Sequence, residues 1–292
     1  MKSHNLFSYF FTLAIFVSAF ILSGVGAVGQ EKYEHKAKNK EFCSGNNYNS
    51  SDKVSFNEKR EYTAAATGSL TVDGGRNGGI KVVGDNRSDV LVRACVNTWA
   101  TTDEAAKALA ADIKIATGSL IKADSGNGDE NWSVSYEILV PRNTNLKLNA
   151  HNGGISIKSV EGALEFETTN GGVSLSDVAG EVRGRTTNGG VNVALSGNSW
   201  KGSGLDVTTT NGGVNLTMPA SYAANIETGT TNGGFRSDIP ALNVDQEDYK
   251  GTGRHSRATR LNTVLNGGGA PIRVITTNGG IRIGSTEKSE KY

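Results

Sequence analysis

The sequence predicts an all-β fold: a β-solenoid of the parallel β-helix kind, with one short covering helix. Two observations carry the prediction. An Asn-Gly-Gly motif returns along the chain, and apolar residues alternate with period two on both of its flanks. Composition agrees, with 38 Gly but only 4 Pro in 292 residues. That balance signals many tight turns rather than collagen or a disordered chain.

The motif stands at Asn77, Asn152, Asn170, Asn188, Asn211, Asn232 and Asn278, with a variant, Asn266-Gly-Gly-Gly, between the last two. From Asn152 onward the steps are 18, 18, 23, 21 and 46 residues, so one degenerate coil or long insertion is expected in the last interval. Three and five residues after the Asn lie pairs such as Ile155 and Ile157, Val173 and Leu175, and Val191 and Val193; Phe235 with Ser237 is the exception. Six residues before it lie Leu146, Leu164, Val182, Leu205, Ile226 and Ile272. Such alternation means strands with one buried face.

An antiparallel meander with Asn-Gly hairpin turns shares this pattern. The solenoid is preferred because the corners are alike. In five copies Thr-Thr precedes the Asn: Thr168-Thr169, Thr186-Thr187, Thr209-Thr210, Thr230-Thr231 and Thr276-Thr277. Stacked coils put identical residues one strand spacing apart, where Asn152, Asn170, Asn188, Asn211, Asn232 and Asn278 can bond along a column. Gly is expected there for its tolerance of positive φ. The second corner varies (Val160 to Gly162, Val178 to Gly180, Ser196 to Gly204, Pro219 to Ala223), as a solenoid loop that accepts insertions should.

Ahead of the regular coils, strands are expected at Ser69 to Val72, Ile80 to Val83, Val90 to Val96, Ser119 to Ala123 and Trp132 to Val140. Thr101 and Glu104 read as a capping box, and Ala106, Leu109, Ala110 and Ile113 fall on one helical face. A helix over about 102–112 is therefore expected to cover one end or side of the stack. The domain reading is a signal peptide at 1–27, a polar arm at 28–60, the solenoid at 61–284 and a charged tail at 285–292. Arg254 to Arg257 reads as an exposed loop.

The first 27 residues have a short polar start, an apolar run from Leu6 to Leu22 and a small-residue cleavage site at Val25-Gly26-Ala27. An uncleaved anchor is the rival reading. No later stretch is apolar enough to span a membrane, so the mature chain is expected in the periplasm or outside the cell. Cys43 and Cys95 would form a disulfide there, or remain buried thiols. A formal net charge of +1 gives no case for nucleic acid.

No catalytic constellation emerges. The four His, among them His151 and His255, lack metal-ligand spacing, and neither a metal nor a cofactor is implied. Asp177, Glu181, Asp206, Glu227 and Asp238 occupy different coils at different offsets; Asp177, Asp206 and Asp238 are the ones to mutate should activity appear. Calcium-binding solenoids carry an Asp that these repeats lack. The second Thr of each pair (Thr169, Thr187, Thr210, Thr231 and Thr277) has outward parity and would form a hydroxyl ladder fit for carbohydrate or ordered water. Thr also suits strands by β-branching alone.

Together, the Thr-Thr-Asn-Gly-Gly units from Asn152 to Ile283, the Thr101 to Ala110 helix and the Trp132 to Arg142 segment resemble a family of bacterial exported proteins classed as candidate adhesins. The resemblance implies a β-solenoid and supplies no catalytic residues. The expected function is non-enzymatic: a secreted or envelope-associated solenoid presenting a repetitive face to a glycan, a surface or a cell-surface protein. The alternatives are a polysaccharide-active β-helix enzyme, or a structural or regulatory envelope component.

Overall fold

The structure, a computed structural model, describes residues 42–44, 52–126, 128, 130–242 and 259–286. They belong to one compact unit, Lys40–Tyr292. The expected signal peptide, the Arg254 to Arg257 loop, most of the polar arm and most of the charged tail lie outside them.

The chain builds two ten-stranded sheets. It opens with β1 (Val54–Ala65), β2 (Ser69–Asp73), β3 (Ile80–Asp85) and β4 (Asp89–Ala100), then a helix, α1 (Asp103–Asp112), and β5 (Ile113–Thr117), β6 (Leu120–Ser125) and β7 (Trp132–Pro141). Regular coils follow, each a pair of strands joined by an Asn-Gly-Gly corner: β8 (Asn145–Ala150) with β9 (Ile155–Lys158), β10 (Glu161–Thr168) with β11 (Val173–Ser176), and β12 (Ala179–Asn188) with β13 (Val191–Ala194). Next come β14 (Gly204–Asn211) with β15 (Val214–Met218), and β16 (Ala224–Asn232) with β17 (Phe235–Ser237). The chain ends with β18 (Thr259–Leu265), β19 (Pro271–Asn278) and β20 (Ile281–Ser285).

Within the coils all pairing is parallel and in register, so the solenoid prevails over the meander. Leu146, Leu164, Val182 and Leu205 stand opposite one another, as do Ile155, Val173, Val191 and Val214. These columns point inward from the two sheets and form one core, almost every member of which is under 5% exposed. Gly184 breaks the apolar column for a steric reason: the Phe166 ring of the coil below fills the space where its side chain would lie.

The spatial order of the coils differs from their order in the chain. One sheet runs β18-β16-β19-β14-β12-β10-β8-β2-β6-β5, and the other β1-β4-β7-β3-β9-β11-β13-β15-β20-β17. The last coil, β19 with β20, is thus inserted between β14–β15 and β16–β17. This accounts for the long step of 46 residues between Asn232 and Asn278. Antiparallel β18 closes the β16 edge, so the described part of the interval holds a reversal. The variant at Asn266 serves that reversal: it has φ 47°, with Gly267 at 90° and Gly268 at 82°. Its side-chain amide donates to the carbonyls of Ala220 and Tyr222.

At the opposite end β1, β4 and β5 are antiparallel additions, and α1 packs on β4 and β1. The helix begins one residue later than the expected capping box. Thr102, not Thr101, is the N-cap, its side chain accepting from the Ala105 N–H. The position three residues on is therefore Ala105, and Glu104 has no reciprocal role. Arg60 closes the other end by donating to the carbonyls of Ala110 and Ile113. Arg60 lies on β1, so this strand begins inside the segment expected to be a loose arm. Cys43 and Cys95 are bonded, with Cα atoms 5.2 Å apart, which ties residues 42–44 to β4.

Candidate functional site

Each Asn-Gly-Gly corner sorts its polar side chains into an inward set and an outward one. The first Thr of each pair keeps the inward parity of the strand it ends. Thr168, Thr186, Thr209, Thr230 and Thr276 are 1–4% exposed. Their hydroxyls donate at 2.7–2.8 Å to glycine carbonyls of the adjacent coil: Gly153, Gly171, Gly189, Gly279 and Gly212 respectively. A buried donor and a half-buried acceptor are thereby satisfied at once. Sequence reasoning missed this role, although the period-two alternation that made the second Thr outward also makes the first one inward.

The Asn side chains form a single ladder. Asn232 donates to Asn278, and the sequence continues through Asn211, Asn188, Asn170 and Asn152 to Asn77, every Nδ2–H meeting the next Oδ1 at 2.7–2.9 Å. The first glycine of each motif is required for close approach rather than for a positive φ, since none of them has one. A Cβ on Gly171 would overlap the Gly153 carbonyl, one on Gly189 the Gly171 carbonyl, and one on Gly212 the Gly189 carbonyl. Side-chain volume, not backbone handedness, is what the corner excludes.

The second Thr of each pair faces outward. Strand register stacks Thr169, Thr187, Thr210, Thr277 and Thr231 in that spatial order, about one strand spacing of ~4.8 Å apart. Thr169 is half-buried and meets His151 of the preceding coil, Nδ1 to Oγ1 at 3.1 Å. The other four are exposed. Apart from the Thr169–His151 contact, the side-chain bonds of the corner run through the first Thr and the Asn, which leaves Thr187, Thr210, Thr277 and Thr231 facing solvent.

The acids singled out in the sequence fall into three places. On the outer face of the β8-to-β16 sheet, register aligns Lys147, Glu165, Arg183, Asp206, Arg273 and Glu227 in a row of alternating sign. Asp206 and Glu227 both meet Arg273, at 2.7 and 3.4 Å, and Glu181 meets Arg183 at 2.7 Å. Asp238 pairs with Arg282 at 3.4 Å. The Asp206, Glu227 and Asp238 pairs bridge neighbouring coils and the Glu181–Arg183 pair lies within β12; none is a pair of acids converging on a substrate.

Asp177 differs. It occupies the variable corner in left-handed backbone, φ 52°, in register with Ser159 of the neighbouring coil, which has φ 56°. Its two oxygens accept from Ser196 at 2.7 Å and Ser159 at 2.9 Å. The Ser196 hydroxyl is the main reason its carboxyl lies below the usual range; burial opposes this, while Ser159, Arg142 and Lys158 reinforce it. A cleft of about 520 Å³ opens here, bordered by Arg142, Glu161, Asp177, Ser199 and Lys201. The aromatic rings of this corner are committed to the core: Trp200 is 7% exposed with its indole N–H on the Gly180 carbonyl, and Tyr222 is 1% exposed.

No curated protein gives a significant match to the sequence. Among solved structures, the chain is similar to a candidate cell adhesion protein from Clostridium sporogenes, with 12% identity over 79% of this chain and 100% of that one and a TM-score of 0.41. It is also similar to a candidate adhesin from Bacteroides fragilis, at 11% identity over 79% and 97% of the two chains and a TM-score of 0.39. A candidate lipid binding protein from Parabacteroides distasonis gives 11% identity over 79% and 97%, with a TM-score of 0.30. Likenesses this distant carry no argument about ligand or activity. The Toastrack DUF4097 family model matches residues 43–284, from the first cysteine through β20, so that every coil is included. The chain therefore belongs to the Toastrack DUF4097 family.

Proposed function

We propose that this protein is exported and works by binding, its ligand lying along the outer Thr column of Thr169, Thr187, Thr210, Thr277 and Thr231. The observation that carries the reading is the division of labour at the corner. The inward Thr hydroxyls and the amides from Asn152 to Asn232 bond within the protein, while a parallel column of hydroxyls repeats outward at one strand spacing. A hydroxyl offers one donor and two acceptor sites. A row of them suits a polymer that itself repeats hydroxyl groups, so a glycan strand is the ligand this face fits best. The Cys43–Cys95 disulfide supports an oxidising address, and no helix among the described residues is long and apolar enough to cross a membrane.

The chemistry of the acids supports binding without turnover. Glycoside hydrolysis needs one carboxyl held protonated and a second placed across the scissile bond. Asp206, Glu227 and Asp238 are engaged with arginines, and Asp177 is pushed toward its ionised form. The enzymatic alternative would have to use the Asp177 cleft with Glu161. Incubating the mature chain with insoluble polysaccharides and assaying pellet and supernatant separates the two. Protein in the pellet with no new reducing or unsaturated ends is the expected result, unchanged when Asp177, Asp206 and Asp238 are all replaced by Ala. Released sugar that disappears with Asp177→Ala would overturn it.

A further inference from the structure

All seven ladder asparagines precede glycine, the pairing most prone to spontaneous loss of the side-chain amide. In that reaction the Gly backbone nitrogen attacks Cγ of the Asn. An N–Cγ bond forms, the Cγ–Nδ2 bond breaks, and Nδ2 leaves as ammonia carrying the proton released by the backbone nitrogen. Water then opens the resulting ring at either carbonyl, giving aspartate or isoaspartate. An exported solenoid with seven such steps stacked in one column is exposed to this chemistry at every coil.

The ladder has a direction, and the direction makes its two ends unequal. Every amide from Asn232 to Asn152 donates through Nδ2 to the next residue in the column. Asn77 stands at the acceptor end: Asn152 donates to its Oδ1 at 2.9 Å, and its own Nδ2 donates to no described residue. Cyclisation at Asn188 or Asn211 must break bonds on both sides of the amide. It must also free the attacking nitrogen, because Gly189 N–H donates to the Asn211 carbonyl, Gly212 N–H to that of Asn278 and Gly279 N–H to that of Asn232. The Gly78 N–H has no such partner among the described residues, and it shares this with the N–H groups of Gly153, Gly171 and Gly233, so what sets Asn77 apart is its Nδ2.

The product obeys the same asymmetry. An aspartate at position 188 would lose the donor to Asn170 and set oxygen against oxygen. An aspartate at position 77 would lose nothing, since that side chain only accepts. We propose that Asn77 is the site of spontaneous amide-to-acid conversion in this protein, and that the ladder shields the interior corners from the same reaction.

The test is to age the folded mature chain in mildly alkaline buffer and follow each Asn-Gly peptide by mass spectrometry, beside a sample held unfolded in guanidinium. In the folded chain Asn77 should convert first, roughly tenfold or more faster than Asn188, Asn211 and Asn278, as breaking two or more hydrogen bonds implies. In the unfolded sample the seven rates should converge. Interior corners keeping pace with Asn77, or conversion beginning at Asn232, would overturn the proposal. A second measurement stands apart from rates. Asn77→Asp should melt with the unmodified protein, whereas Asn188→Asp should melt lower by about 2–4 °C or more; equal losses would contradict the polarity of the ladder.

Discussion

At the scale of single residues, a Thr-Thr pair performs two different tasks one residue apart. Thr186 is buried with its hydroxyl on the Gly171 carbonyl, and Thr187 is exposed. Thr186→Val keeps the shape but strands that acceptor, and should lower stability in urea unfolding by about 1–2 kcal/mol. Thr187→Val should stay within about 0.5 kcal/mol of the parent. Gly184→Ala should cost about 1–3 kcal/mol, because the new methyl group falls on the Phe166 ring. Asp177 gives a pH signature. Its folded pKa lies below the ordinary carboxylate value, so the stability it contributes is present above that value and is lost as pH falls through the depressed one. Asp177→Asn should remove this part of the acid-induced loss, seen as a shallower fall of stability below the usual carboxylate range. Parity in the sequence was enough to place the outward Thr residues. It gave no hint of the Ser159–Asp177–Ser196 cluster, whose members come from three coils at unequal spacing.

At the scale of elements, the strands were legible because burial on one face imposes a period of two. The order in which they stack was not. Corners that share Thr-Thr-Asn-Gly-Gly are interchangeable neighbours, so nothing in the motif distinguishes β16 from β19 as the partner of β14. The outer charges do distinguish them. With β19 inserted, Arg273 separates Asp206 from Glu227; were β16 stacked directly on β14 in the same register, those two acids would face each other. Like charges opposite one another in neighbouring strands are destabilising. Arg273→Glu would put three carboxylates in a row and should cost about 1–2 kcal/mol, against a smaller loss for Arg273→Met. Equilibrium unfolding at low and high salt checks this, since screening should shrink the Arg273→Glu deficit. β1 and β5 escaped sequence reading because they lie in polar or short segments whose burial is set by α1 and by the end of the stack.

At the scale of the whole molecule, a solenoid must end its sheets without offering them to another chain. Here β1, β4, β5 and α1 finish one end, and antiparallel β18 with the three-residue β17 finishes the other. Cys43–Cys95 fastens the first end covalently, and reduction should cost on the order of 4 kcal/mol in the chain-entropy model. Between these ends Thr187, Thr210, Thr277 and Thr231 stay open to solvent, and the proposed binding face is that column. The direct measurement is a binding isotherm on the polysaccharide that pellets the protein best. The Thr187→Lys, Thr210→Lys, Thr277→Lys triple variant is compared there with a control triple, Ser156→Lys, Ser174→Lys, Asn192→Lys, on the outer face of the other sheet. Loss of binding only in the Thr variant, with both variants folded and no sugar released, is the predicted result. Undiminished binding by the Thr variant, or loss confined to the control, would contradict the account.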